Sequence, residues 1–304
     1  MQTTIAGFKL DSCIMNAAGA LDTSLEELKL LAYSQSGAIV SKSCTYLSRT
    51  GNPHPRVACI PGNGTINSTG LANYGYQFYL ESASTLKEIS SKPYIVSVAT
   101  LKDPELSTII EDLNNTKDVD LAEFNLSCPN IIGKRQVGYN QTDMRKILDV
   151  IDTKCTKPYG LKLPPYFEPM EIAEVAEIIK ESRARYIVCV NSLGNGLVID
   201  PVTDKPVIAP KGGLGGIGGP SVKPFGLANV REFRRQLPDL DIVGCGGITC
   251  ARDIYEYFLC GATAVSLGSY FWEHGTDCYK QLQSEFTNYL RKKGINNLSE
   301  IPKI

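Results

Sequence analysis

Several common functional signatures are missing from this sequence. It holds only two histidines in 304 residues, His54 and His274, and neither lies at ligand spacing from a cysteine pair. Ten cysteines are present, yet no two are separated by only two residues, so no CxxC exists. The usual structural zinc patterns are thereby excluded. No G-x-S-x-G occurs, so the nucleophile elbow of the α/β-hydrolases is absent. An excess of charge of either sign is lacking too: 31 basic and 32 acidic residues leave a net charge of −1. That balance offers no basic field for nucleic acid and no polybasic handle for an anionic membrane. Long apolar runs are also missing. Stretches such as 186–190 are short, whereas a bilayer span takes about 20 apolar residues. Lys9 and Asp11 interrupt the first twenty residues, so no signal-peptide core is read there. With 43% hydrophobic residues, the chain is too apolar for disorder and too long to need a disulfide scaffold. The expectation is a cytoplasmic protein with reduced thiols, no nucleic-acid partner and no membrane partner.

What the sequence does contain is an alternation. Short apolar runs at 14–18, 37–42, 94–99, 121–126, 159–163, 186–190, 241–244 and 264–267 read as strands. Amphipathic stretches follow most of them, at 24–32, after Asp103-Pro104 to about 114, and at about 142–153, 169–180, 227–235, 251–259 and 278–292. Asp22 or Thr23 reads as the cap of the first helix. Near-continuous apolar strands imply burial on both faces, as in parallel sheets. Eight alternations predict an α/β fold, a single (β/α)₈ TIM barrel over residues 1–304. The connections 43–93 and 191–223 are long and follow strands. They predict insertions over the C-terminal face of the barrel, where active sites of this fold lie.

Polar residues at strand ends are the first candidates for function. Lys42, Asn125, Lys162 and the pair Asn191-Ser192 all stand where a barrel would otherwise be apolar. One such residue could be a satisfied core polar group, but four at equivalent ends converge on one pocket. Glycine-rich ends mark the seventh and eighth strands, in Gly244-Cys-Gly-Gly-Ile248 and Leu267-Gly-Ser269. In a (β/α)₈ barrel that corner binds phosphate through backbone N–H groups, so a phosphate-bearing cofactor is expected. Residues 212–219 hold six glycines in eight and contain Gly213-x-Gly215-x-x-Gly218. The letters fit a dinucleotide fingerprint. The context does not, because no strand–helix unit surrounds them, and a turned loop is the expectation. Asn125-Leu-Ser-Cys-Pro-Asn130 places a thiol between carboxamides at a strand end. Without a histidine partner nearby, Cys128 suits proton transfer better than papain-like attack.

The motifs Asn67-Ser-Thr-Gly-Leu-Ala-Asn73, Asn125-Leu-Ser-Cys-Pro-Asn130, Lys162-Leu-Pro-Pro-Tyr166, Val190-Asn-Ser-Leu-Gly-Asn-Gly196 and Gly215-Gly-Ile-Gly-Gly219 resemble, in order, those of the dihydroorotate dehydrogenases. The resemblance spans essentially the whole chain and is strongest to the soluble, fumarate-using class 1A. It implies an FMN-binding barrel and a homodimer. It also implies oxidation of dihydroorotate to orotate in pyrimidine synthesis, with fumarate reduced to succinate. By the same resemblance, Cys128 matches the base at C5 of dihydroorotate while hydride leaves C6. Lys42, Asn67, Gly70, Leu71, Asn125, Asn130, Asn191 and Ser192 match the substrate contacts. Ala18, Gly19, Lys42, Ser43, Asn125, Lys162, Val190, Ser192, Gly219, Cys245, Gly246, Gly247, Gly268 and Ser269 match the FMN contacts. Carboxamides can meet both donors and acceptors of a pyrimidine ring, and the two lysines can offset a carboxylate and a reduced flavin.

Two residues depart from the family pattern: Ala72 and Arg135 stand where proline is usual. A class 1B enzyme passing electrons to NAD is the nearest rival, and the strings at 162–166 and 190–196 count against it. A quinone-linked class would carry serine in place of Cys128 and an extension before a strand that here starts near Ile14. A tRNA dihydrouridine synthase would need a basic second domain. A metabolite-sensing barrel would have no reason to hold Cys128 between Asn125 and Asn130.

Overall fold

A short antiparallel hairpin, β1 (Thr3–Ile5) and β2 (Phe8–Leu10), carries Ile5 and Leu10 into the protein interior. It closes the bottom of an α/β barrel in this computed structural model, which describes residues 1–62, 64–99, 103–127 and 136–304. The barrel strands are β3 (Ile14–Asn16), β4 (Ile39–Val40), β7 (Tyr94–Ala99), β8 (Leu121–Asn125), β9 (Tyr159–Lys162), β10 (Tyr186–Cys189), β15 (Asp241–Cys245) and β16 (Ala264–Leu267). Their order is β3-β16-β15-β10-β9-β8-β7-β4, and all neighbours are parallel. All eight apolar runs expected as strands are strands. The hairpin is tied to the barrel by the Ala6 N–H, which donates to Asp241 Oδ2 at 2.8 Å.

The eight strands form a nearly closed sheet whose seam falls between β3 and β4. A side chain bridges that seam. Asn16 Nδ2 donates to the Val40 carbonyl at 2.7 Å, and Asn16 Oδ1 accepts from the Val40 N–H at 2.8 Å. The carboxamide thus reproduces the donor–acceptor pair of a backbone ladder where β3 and β4 do not pair.

Nine α-helices stand among the described residues: α1 (Leu25–Tyr33), α2 (Tyr76–Ile89), α3 (Glu105–Asn115), α4 (Gln141–Lys154), α5 (Pro169–Glu181), α6 (Lys223–Gln236), α7 (Ala251–Leu259), α8 (Ser269–His274) and α9 (Asp277–Lys292). Their apolar stripes cover the outside of the sheet. In α3 the buried residues Leu106, Ile109, Ile110 and Leu113 follow the i, i+3, i+4, i+7 spacing of one face. The cap of α1 differs from the sequence expectation. Ser24, rather than Asp22 or Thr23, is the N-cap: its side chain accepts from the Glu27 N–H, and the Glu27 carboxylate accepts from the Ser24 N–H. This capping box satisfies the helix start by itself and leaves Asp22 to other work.

The two long connections meet. β5 (Val57–Ile60) and β6 (Gly64–Asn67) come from the first, β11 (Leu193–Leu197) and β14 (Leu214–Gly218) from the second. They form an antiparallel sheet in the order β11-β14-β6-β5, beside a small hairpin of β12 (Ile199–Asp200) and β13 (Lys205–Pro206). The glycine run at 212–219 is therefore largely a strand rather than the turned loop expected from sequence. Close neighbours explain the composition. A Cβ at Gly216 would lie 2.2 Å from Ser192 Oγ, one at Gly218 2.5 Å from Ser269 Oγ, and one at Gly215 2.6 Å from the Asn67 carbonyl. Only glycine lets this strand pass between its neighbours.

Asn16→Ala is expected to lower stability by about 2–4 kcal/mol, because it strands both the N–H and the carbonyl of buried Val40. Urea unfolding measures it, and a loss under about 1 kcal/mol would show that the seam does not depend on this side chain.

Candidate active site

The C-terminal ends of the barrel strands and the antiparallel sheet above them enclose a cavity of about 970 Å³. Its floor is polar. Lys42 follows β4 and Lys162 ends β9; they are 7% and 3% exposed. Each ammonium is held against a carbonyl of the turn after β3: Lys162 Nζ donates to Ala18 at 3.2 Å, and Lys42 Nζ reaches Gly19 at 3.5 Å.

A chain of hydrogen bonds joins four strand ends around them. Ser97 Oγ of β7 and Ser43 Oγ lie 2.9 Å apart, and Asn125 Nδ2 donates to Ser43 Oγ at 3.1 Å. Asn125 Oδ1 accepts from both the N–H and the hydroxyl of Ser127, at 3.0 and 2.7 Å. Asn191 Nδ2 donates to Ser127 Oγ at 2.5 Å, and Asn191 Oδ1 accepts from the Ser192 N–H at 2.8 Å. The upper wall is tied down separately. Asn67 Nδ2 donates to the Gly216 carbonyl at 3.2 Å, and the hydroxyls of Thr65 and Ser269 lie 2.7 Å apart.

One side of the cavity is glycine. Gly19, Gly219, Gly246 and Gly247 have φ of 115°, 93°, 125° and 68°. A Cβ at Gly247 would lie 2.7 Å from Lys223 Cβ and 2.8 Å from the Gly219 carbonyl. Behind this wall Lys223 of α6 pairs with Asp253 and Glu256 of α7 at 2.6 and 2.8 Å. Asp253 Oδ2 also accepts from the N–H groups of Thr249 and Cys250. These bonds hold Asp253 and Glu256 below the usual carboxylate range, against the upward push of their burial.

Two buried carboxylates lie near the lysines. Asp22 is wholly buried, and burial pushes it up to about 6 against the pull of Lys42 and Lys162. Its Oδ2 accepts from the Gly19 N–H at 2.6 Å, while Oδ1 is buried without a hydrogen-bond partner. Glu123, two residues before Asn125 on β8, is raised by burial and restrained by Lys162.

Of the residues singled out by sequence, Ala18, Gly19, Lys42, Ser43, Asn67, Leu71, Asn125, Lys162, Val190, Asn191, Ser192, Gly219, Cys245, Gly246, Gly247, Gly268 and Ser269 all line the cavity. Gly70 does not. It packs against Asn52, with a φ of 70°. Cys128, Asn130 and Arg135 lie outside the described residues. Their described flanks, Ser127 and Gln136, both line the cavity.

A family model for dihydroorotate dehydrogenase matches residues 1–290. The chain belongs to the dihydroorotate dehydrogenase family. A Trypanosoma cruzi dihydroorotate dehydrogenase (fumarate) is 41% identical over 290 residues, covering 94% of this chain and 92% of that one. A Streptococcus uberis protein named for the fumarate-type A enzyme is 42% identical over 300 residues, covering 98% and 96%. A crystal structure of Eimeria tenella DHODH with ferulenol superposes with a TM-score of 0.83 at 17% identity, over 99% of this chain and 87% of that one. That likeness supports the fold.

The family is flavin-dependent, and the cavity suits a flavin phosphate. The glycine turns after β15 and β16 allow close approach of backbone. The Ser266 hydroxyl, on β16 at the cavity wall, is buried without a hydrogen-bond partner. A buried hydroxyl of this kind is costly unless a bound group completes it.

The sequence does not single out Asp22, Glu123 or Ser266 for the site. Asp22 was masked by its resemblance to a helix cap. Glu123 and Ser266 sit inside runs whose hydrophobicity marks them as strands, and nothing local shows which face they take.

Gly247→Ala is expected to lower stability by about 1–3 kcal/mol through its positive φ and the contact with Lys223. Denaturant unfolding tests this, and an unchanged midpoint would show that the turn tolerates a side chain.

Proposed function

We propose that this protein oxidises (S)-dihydroorotate to orotate in pyrimidine synthesis, using a bound FMN, and returns the electrons to fumarate, giving succinate. The observation that carries the reading is the convergence of Lys42, Lys162, Asn125, Asn191 and Asn67 on one cavity, in a chain of this family. The fumarate assignment is supported by the names of its full-length relatives.

Each group has a task in this reading. Gly19, Gly219, Gly246, Gly247, Gly268 and Ser269, with Ala18, Val190 and Cys245, would hold the flavin and its phosphate. FMN, when bound, supplies the two-electron acceptor for the hydride that leaves C6. Cys128, as thiolate, takes the proton from C5, so the C5–C6 bond becomes double. Lys42 offsets the substrate carboxylate. Asn67, Asn125, Asn130 and Asn191, with Ser192 and the Leu71 backbone, meet the edge of the pyrimidine ring. Lys162 keeps positive charge at the cavity floor, where electrons arrive. The return half-reaction uses the same groups, since reducing fumarate takes one hydride and one proton.

The same reading takes the chain as one domain over residues 1–304, acting as a cytoplasmic homodimer. Among the described residues no helix is long and apolar enough to cross a membrane. Leu197, Ile199, Val202, Phe167 and Met170 are exposed apolar side chains that suit a subunit contact.

Cys128→Ala is expected to slow reduction of the flavin by dihydroorotate roughly 10²–10⁴-fold while leaving the flavin bound. Stopped-flow bleaching of the flavin measures it, and near-normal reduction at neutral pH would remove Cys128 from the mechanism.

The acceptor is tested by mixing dihydroorotate-reduced protein anaerobically with fumarate, NAD or a soluble quinone. Fumarate should reoxidise it, with orotate competing at the same site and steady-state kinetics of ping-pong form. Fast reoxidation by NAD with none by fumarate would overturn the acceptor and leave the dihydroorotate half-reaction standing.

A further inference from the structure

Asp22 holds a position that neither the helix after it nor the cavity explains. Helix α1 is capped by Ser24 and Glu27, so its start does not need Asp22. Nor does Asp22 line the cavity. Instead it is knotted to Lys42. The Lys42 N–H donates to the Asp22 carbonyl at 3.0 Å, the Gly19 N–H donates to Asp22 Oδ2 at 2.6 Å, and the Lys42 ammonium reaches the Gly19 carbonyl at 3.5 Å. One carboxylate oxygen therefore fixes the turn that receives the ammonium. The other, Oδ1, is buried without a hydrogen-bond partner. A turn alone could be held by a neutral acceptor, so a charged group here calls for an electrostatic reason.

The charged surroundings supply one. Lys42 and Lys162 attract Asp22, whereas Glu27 and Glu123 oppose its ionisation. Tyr79, Tyr94 and Tyr279 also interact with it electrostatically. Both lysines line the cavity and are almost wholly buried. In a site of low polarizability they would hold a carboxylate ligand tightly. Orotate and succinate are both carboxylates, and a shared site must release the first before its second half-reaction can proceed. Product release commonly limits turnover in such a cycle.

We propose that Asp22 is a positioning residue that acts through Lys42: it is a standing counter-charge that lowers the affinity of the site for anions, so that carboxylate products leave. The proposal rests on reading the cavity as the dihydroorotate and orotate site. A purely structural Asp22 and a charge-tempering Asp22 give opposite signs when the charge is removed. Loosening the Gly19 turn weakens orotate binding, whereas removing the counter-charge strengthens it.

The test compares the FMN-loaded wild type with Asp22→Asn, which keeps an acceptor for the Gly19 N–H and loses the charge. Orotate binding is followed by titrating the flavin absorbance, with kcat and KM measured alongside. Asp22→Asn is expected to bind orotate roughly tenfold more tightly, with kcat and KM falling together. Equal or weaker binding by the variant, with normal binding by the wild type, overturns this proposal alone. A wild type that binds no orotate overturns the reading of the cavity and this proposal with it. Should Asp22→Asn give no folded flavoprotein, the wild type decides the matter. Lowering the pH from about 7.5 to about 5 protonates Asp22 and must tighten orotate binding in the same direction. A flat or weakening profile there overturns the proposal.

Discussion

An ammonium group taken out of water costs several kcal/mol unless its surroundings replace the lost hydration. Lys42 and Lys162 are both almost fully buried at the inner ends of barrel strands. Much of the upper barrel serves to make that tolerable. The turn after β3 brings two carbonyls, Ala18 and Gly19, onto the two ammonium groups. Gly19 can do so only because it has a φ of 115° and no Cβ, which would lie 3.3 Å from Lys42 Nζ. Asp22 then fixes the Gly19 N–H, and the carboxyl groups of Asp22 and Glu123 lie in the field of the lysines, which favours their ionised forms against burial. Neutralising either lysine would leave the two buried carboxyl groups with a single ammonium beside them, so the four groups form one electrostatic unit.

The wall above that unit is built on a different principle. The barrel strands are held by apolar packing on both faces, from Tyr186 and Val188 inside to the helix stripes outside. The sheet of β11, β14, β6 and β5 has few large side chains of its own. Backbone pairing and small polar contacts hold it, including the Thr65–Ser269 hydroxyl pair and the bond from Asn67 to Gly216. Its glycines let the strand lie directly against Ser192 and Ser269. A thin, close-fitting cover suits a site that must exclude water around a flat ligand without filling the space itself.

The barrel was legible in the sequence because strands buried on both faces carry continuous apolar runs, and eight of them occur. The second barrel helix was not. Helix α2 starts after Gly75, which has a φ of 89° and offers no side-chain cap, and its first turn is Tyr-Gln-Phe-Tyr, a composition that favours strands. Helix α6 was read four residues short, because Pro224 and Gly226 look like breakers. Proline is tolerated in a first helical turn. Glycine is required at 226, since a Cβ there would lie 2.0 Å from the Tyr257 hydroxyl. The pairing of the two long connections into one sheet joins segments about 150 residues apart, as between Asn67 and Gly216. No local pattern encodes such a pairing. Most of the site was legible for the opposite reason. Lysine and asparagine at the ends of apolar strands are conspicuous in the chain itself, whereas Asp22 in a polar turn is not.

The polarity of the carboxamides follows from the backbone rather than from any ligand. A main-chain N–H can only donate. The Ser127 N–H therefore fixes which atom of Asn125 is the oxygen, and the Ser192 N–H does the same for Asn191. The rest of the chain then has one direction. The Ser127 hydroxyl donates to Asn125, so its oxygen must accept from Asn191 Nδ2, and Asn125 Nδ2 must donate to Ser43. Flipping either carboxamide would set an NH₂ group against an N–H donor. The donor and acceptor pattern at the cavity floor is thus determined before a substrate arrives. A ring that matches it pays no reorganisation at that edge, and one that presents the reverse pattern meets donors with donors. Whatever edge a ligand presents to these carboxamides is selected through two backbone N–H groups, those of Ser127 and Ser192.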